Sequence, residues 1–192
     1  MNINYRLAPD NTWPSGIEDL TGAVAWLKDN VERFGGDPDK IFLWGHSSGA
    51  AHVADYVASM AKRHKDAGIA GAILTSGFYD LGKEVSIWKA YYGDDVSTYA
   101  ERSSLPGLLA TSVPLLVTDA ELDPDMFQEE TDKLVAARSR ADKPVERVHL
   151  KGHSHLSETY AIGTGDRSLS NPVLEFVRRV VASQSRAARP GN

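Results

Sequence analysis

Five short runs of apolar, β-branched or aromatic residues, Asn2–Leu7, Ile41–Gly45, Ile69–Thr75, Pro114–Thr118 and Val145–Leu150, each have the length of one strand. Longer segments of helical spacing separate them. Parallel strands need a crossover of a dozen or more residues, and a sheet built that way must be covered on both faces. The alternation therefore predicts an α/β fold with about five strands in a mostly parallel sheet and helices on both sides.

The clearest helix carries Ile17, Leu20, Val24, Leu27, Val31 and Phe34 at steps of three and four, between a start at Pro14-Ser15 and a stop at Gly35-Gly36. A second helix is expected from Ser48 to about Lys65, burying Val53, Val57 and Met60 or Ala61. A third spans Pro124 to Arg140 with Phe127, Thr131, Leu134 and Val135 inward, and a last one opens at Asn171-Pro172 with Val173, Phe176, Val177, Val180 and Val181. Trp13, Trp26 and Trp44 flank these elements and are expected to be buried. Leu81–Leu109 holds Trp88, Tyr91, Tyr92 and Tyr99 without a clean period, and reads as a lid-like or pocket-covering excursion. The 192 residues make one domain over residues 1–182, followed by a tail, 183–192, too poor in apolar residues to pack and expected to be disordered.

Lys and Arg total 21 against 26 for Asp and Glu, a net charge of −5 with no basic stripe, which argues against a nucleic-acid partner. No cysteine occurs, so disulfides, thiolate zinc sites and thiol nucleophiles are out of reach. The first ten residues lack the basic start and apolar run of a signal peptide, and no run approaches 18 apolar residues, so a cytoplasmic protein with no membrane partner is expected.

Gly45-His46-Ser47-Ser48-Gly49 follows a strand and opens a helix, the context a G-x-S-x-G nucleophile elbow requires. A strand turning sharply into a helix strains the central serine and leaves no room for side chains beside it. Ser47 would then stand above the sheet at a helix N-terminus, where amides favour developing negative charge. A serine hydroxyl needs a base, and the base an orienting carboxylate. Carboxylates follow the fourth run, in Asp119-Ala120-Glu121-Leu122-Asp123-Pro124-Asp125, and histidines follow the fifth, in Lys151-Gly152-His153-Ser154-His155. Both clusters fall on the strand-end side where open parallel sheets bind ligands. A calcium loop counted from Asp119 fails at its sixth position, Pro124, and His153-x-His155 lacks a third metal ligand at a recognisable spacing. His46 and His52 read as packing or hydrogen-bonding residues. Trp88, Tyr91 and Tyr92 read equally as an acyl or aryl pocket or as a satellite aromatic cluster.

Tyr5-Arg6-Leu7-Ala8-Pro9, Trp13-Pro14, Glu18-Asp19, the elbow through Ala50, Gly77-Phe78-Tyr79-Asp80-Leu81, Glu121-Leu122-Asp123-Pro124 and Gly152-His153-Ser154-His155-Leu156-Ser157 together resemble the α/β-hydrolase carboxylesterases, including the hormone-sensitive-lipase-like group. Kynurenine-formamidase-like enzymes share much of this pattern. The resemblance implies Ser47 as nucleophile, Asp123 as acid and His155 as base, with Glu121 and His153 in reserve. It also implies the Ser48 backbone N–H as an oxyanion donor, no cofactor, and a small-molecule ester as substrate. An amide hydrolase of the arylformamidase type, and an inactive or binding fragment, are the alternatives.

The family carries a His-Gly-Gly segment ahead of the Tyr-Arg-Leu-Ala-Pro stretch, whose amides supply most of the oxyanion hole. This sequence starts four residues before Tyr5, so an N-terminally truncated fold is expected. Asn2–Leu7 must then pair directly with Ile41–Gly45 or stand as an unpaired edge.

Overall fold

The computed structural model describes residues 1–82, 89–143 and 145–187. Four parallel strands, β1 (Phe42–His46), β2 (Gly71–Thr75), β3 (Leu115–Leu122) and β4 (Glu146–Ser154), lie side by side in chain order. Around them run α1 (Ser15–Asn30), α2 (Ser48–Lys62), α3 (Lys89–Tyr92), α4 (Tyr99–Arg102), α5 (Leu105–Ala110), α6 (Asp125–Arg140), α7 (Ser157–Tyr160) and α8 (Ser170–Ala187).

Two apolar layers sandwich the sheet. On one face Leu43, Ala72, Leu74, Leu115 and Val117 meet Leu20 and Val24 of α1, Val53, Val57 and Met60 of α2, Leu108 of α5 and Leu134 of α6. On the other, Ile73, Leu116 and Leu150 meet Val173, Phe176 and Val180 of α8. At roughly 2 kcal/mol per fully buried aliphatic side chain, this burial is what offsets the chain entropy of folding. Glu18 near the start of α1 and Lys28 near its end suit the helix dipole, as do Asp125 and the Arg138–Arg140 pair on α6.

Several expectations are corrected. Asn2–Leu7 forms no strand, leaving four strands instead of five among the described residues, with β1 at an edge. Its side chains bind other elements instead: Ile3 packs on the core, the Arg6 guanidinium donates to Asp19 and Glu18, and the Tyr5 and Ser48 hydroxyls bond at 3.1 Å. β3 runs on to Leu122 and β4 to Ser154, so Asp119, Glu121 and His153 lie inside strands. α2 stops at Lys62, and α8 continues through Ala187, past the expected end at 182, because the helical backbone carries on without needing an apolar face to pack. Residues 188–192 lie outside the described residues.

Trp26 and Trp44 are 43% and 39% exposed, not buried. Trp26 points off the outer face of α1 beside Phe34, and Trp44 occupies the face of β1 opposite α2. In the Leu81–Leu109 excursion, Trp88 lies outside the described residues. The described part is half wall and half core: Tyr91 and Tyr92 face a cavity, while Leu108 is fully buried against α2.

Candidate active site

Each strand is followed at once by a polar residue. Ser47 directly follows β1, Ser76 follows β2, Asp123 follows β3 and His155 follows β4. In a parallel sheet these four positions share one edge, so residues up to 108 apart in sequence become neighbours.

The elbow at Ser47 is strained, with φ 55° and ψ −121°. It persists because its neighbours demand it: a side chain at Gly45 would come within 2.2 Å of the Gly49 carbonyl. The Ser47 N–H donates to the Thr75 carbonyl at 2.9 Å, holding the turn against β2. Ser48 is the first residue of α2, where backbone N–H groups have no partner within the helix.

Ser47 Oγ lies 2.9 Å from His155 Nε2, and His155 Nδ1 lies 2.8 Å from Asp123 Oδ1. A carboxylate only accepts, so Nδ1 carries the hydrogen and Nε2 is free to accept from the serine hydroxyl. Asp123 Oδ2 accepts a second hydrogen from the Ala120 N–H at 2.8 Å. The ring of Phe127, one turn into α6, stacks on the imidazole with centroids 4.3 Å apart. β3 shifts register against β4 between Ala120 and Leu122, and the Asp123 N–H donates to the Ala120 carbonyl at 3.1 Å, closing a turn at the strand end.

The other candidates are held elsewhere. His153 bonds to Ser168 Oγ at 2.8 Å and faces Asp166 at 3.2 Å. Glu121 accepts the Gly152 N–H at 2.7 Å. Asp119 is fully buried and takes Arg147 and His149 as partners at 2.9 and 2.6 Å, tying β3 to β4. His52 sits between the rings of Tyr5 and Tyr91, and burial pushes it down to about 4, so it is a neutral wall residue at neutral pH.

A cavity of about 330 Å³ opens beside Ser47, lined by Tyr5 to Ala8, His52, Phe78, Tyr91, Tyr92 and Phe127. The aromatic residues of the excursion are thus both a cluster and a pocket wall. The segment expected to be a strand supplies the opposite wall. His46, His155 and Glu158 bring three potential metal ligands within 4.8 Å of one another. Most of the atoms that would bind a metal are committed to hydrogen bonds: both His155 nitrogens as described, His46 Nε2 to the His155 carbonyl at 2.7 Å, and Glu158 Oε1 to Ser76 Oγ at 2.6 Å. Such a set suits a proton network better than a cation.

Ser76 and Glu158, both fully buried behind Asp123, were not identified from sequence. Ser76 offered one signal, its place directly after a strand. Glu158 offered none, since a glutamate three residues past a histidine is ordinary helix composition.

A parallel sheet carrying a strained serine between strand and helix, with aspartate and histidine past the next strand ends, defines an α/β-hydrolase architecture. The chain belongs to the alpha/beta hydrolase fold family, which it matches over residues 1–158. It is 26% identical to the esterase LipQ of Mycobacterium tuberculosis, over all of this chain and 50% of LipQ. It is 37% identical to the carboxylesterase NlhH of the same species, over 32% of this chain. An esterase from Pyrobaculum calidifontis superposes with a TM-score of 0.73 at 20% identity, covering 94% of this chain and 64% of that one. The chain spans about half the length of LipQ and of a second curated relative, the probable carboxylic ester hydrolase LipM of the same species. Among the described residues no helix is long and apolar enough to cross a membrane.

Proposed function

We propose that this chain carries the catalytic machinery of a serine carboxylesterase acting on small-molecule esters. The observation that carries the reading is the continuous line from Ser47 Oγ through His155 to Asp123, with bonds of 2.9 and 2.8 Å. In this mechanism His155 Nε2 takes the Ser47 proton as Oγ attacks the ester carbonyl. The Ser48 N–H donates to the developing oxyanion, and Asp123 holds the imidazole in the correct tautomer and stabilises its charge. The protonated His155 then delivers its proton to the departing alcohol. Water, deprotonated by the same nitrogen, releases the acyl group from Ser47.

The esterase names of the relatives favour ester over amide as the scissile bond. The aromatic lining of the cavity favours a compact acyl or aryl group over a long chain. No cofactor is needed for these steps.

A fluorophosphonate probe tests the reading. Wild type is expected to label at Ser47 and to hydrolyse a short aryl ester, and Ser47→Ala to do neither. Equal labelling of the two proteins, or no labelling of folded wild type, sinks the proposal.

A further inference from the structure

Behind Asp123 lies a second row of buried side chains that the proposed chemistry does not use. Ser76 Oγ stands 2.6 Å from Asp123 Oδ2 and also 2.6 Å from Glu158 Oε1. Ser76 and Glu158 are fully buried, and Asp123 nearly so. Each of these oxygen–oxygen contacts requires a hydrogen between the two atoms, because facing lone pairs at that distance repel. A serine hydroxyl has only one to give. The second has to come from a carboxyl group.

Asp123 is the poorer source. Its two oxygens already accept the His155 Nδ1–H and the Ala120 N–H, the setting of a carboxylate. Glu158 has no such support: among the described residues Oε2 has no hydrogen-bond partner, and besides Ser76 the polar group facing Oε1 is His46 Nε2 at 3.2 Å. That histidine directs its hydrogen to the His155 carbonyl at 2.7 Å, which can only accept. A carboxylate buried with so little solvation is expensive, whereas the neutral acid is not.

We propose that Glu158 is held as a protonated glutamic acid that donates to Ser76, so that Ser76 commits its own hydrogen to Asp123. Glu158 and Ser76 are then positioning residues for the acid of the triad, and only that consequence rests on the carboxylesterase reading. An ionised Glu158 would compete for the Ser76 hydrogen and set a second negative charge opposite Asp123. The neutral form removes both effects. Glu158, three residues past His155, also anchors α7 to the end of β2. The strain at Ser76, a non-glycine residue at φ 46°, is where the backbone turns to aim the hydroxyl between the two acids.

Infrared spectra near neutral pH test the protonation without reference to activity. The difference between wild type and Glu158→Gln is expected to contain the carbonyl stretch of a buried protonated carboxyl. Asp55, which burial raises to about 7, contributes a separate band that Asp55→Asn removes and Glu158→Gln leaves in place. Absence of a difference band for Glu158→Gln overturns the proposal. Activity tests the positioning role. Glu158→Gln keeps a donor and an acceptor in almost the same volume, so kcat on a short aryl ester should stay within about threefold of wild type. Ser76→Ala should lower kcat roughly 10- to 100-fold at unchanged KM, because Asp123 loses a buried donor. Equal losses in the two variants, in protein that melts like wild type, overturn that role. A Ser47 unreactive to fluorophosphonate alongside an intact Glu158 band would refute the triad and leave the protonation standing.

Discussion

The ring of Phe127 lies over the ring of His155, centroids 4.3 Å apart and planes 24° from parallel. Phe127 sits in the first turn of α6, four residues past Asp123, so one short segment supplies both the carboxylate that bonds Nδ1 and the aromatic face that stops the imidazole from rotating. In the proposed mechanism His155 takes the serine proton and becomes a cation against a π-face, an arrangement that adds stabilisation beyond packing.

Phe127→Leu should therefore fold normally and lose about three- to tenfold in kcat, with the larger effect on kcat than on KM. Phe127→Tyr should keep most of the activity. Steady-state kinetics on a short aryl ester check this; a leucine variant as fast as wild type would show the stack to be packing alone.

His153 and His155 should separate cleanly. His155→Ala is expected to lose about 10³-fold or more in kcat/KM, the scale on which triad bases act. His153→Ala should retain activity within about threefold but melt at a lower temperature, since its bonds to Ser168 and Ser157 are worth about 1–2 kcal/mol together. A reversal of the two activity losses would reassign the base.

Two buried groups bias stability in opposite directions with pH. Burial raises Asp55 to about 7, so between about pH 4 and 7 the folded protein keeps a proton that the unfolded chain has released, and this contribution falls as pH rises. Burial lowers His52 to about 4, so between about pH 4 and 6.5 the unfolded chain holds a proton that the folded protein excludes, and this contribution rises with pH. Each is worth on the order of 3 kcal/mol across its window, so the two largely cancel below pH 6.5. Asp55→Asn should leave stability climbing from pH 4 to 6.5, and His52→Gln should leave it falling from pH 4 to 7. Urea melts at fixed pH read the slopes, and opposite signs would refute the assignment.

The two glycines of the elbow should respond differently to alanine. At Gly45 the added methyl meets the Gly49 carbonyl at 2.2 Å, and backbone must move, at a cost of about 3 kcal/mol or more. At Gly49 nothing stands within 4 Å, so Gly49→Ala should change stability by less than about 1 kcal/mol and can gain from helix propensity. Thermal melts of the two variants decide it.

Much of the fold was legible in the chain. The periods of Ile17 to Val24 and of Val173 to Val180 mark buried helix faces because burial selects residues one turn apart. Asn2–Leu7 misled because its apolar content has the strand pattern, but a strand exists only through a partner's hydrogen bonds, and among the described residues β1 pairs with β2 alone. Trp26 misled because size says nothing about which way a helix face turns.

By itself the sequence determined the alternation of strands and helices, the elbow at Ser47 and the order in which serine, carboxylate and histidine follow strand ends. Those features are local, set by neighbouring side chains and the sterics of glycine. Only the tertiary structure decided which residues meet. His155 reaches Ser47 and Asp123 reaches His155, while Glu121 and His153 do neither, because two residues more of strand on β3 and on β4 separate a side chain on the ladder from one at the turn. The placing of the Ser76 hydroxyl between Asp123 and Glu158 is decided there too, since it depends on tenths of an ångström between atoms that no spacing in the chain encodes.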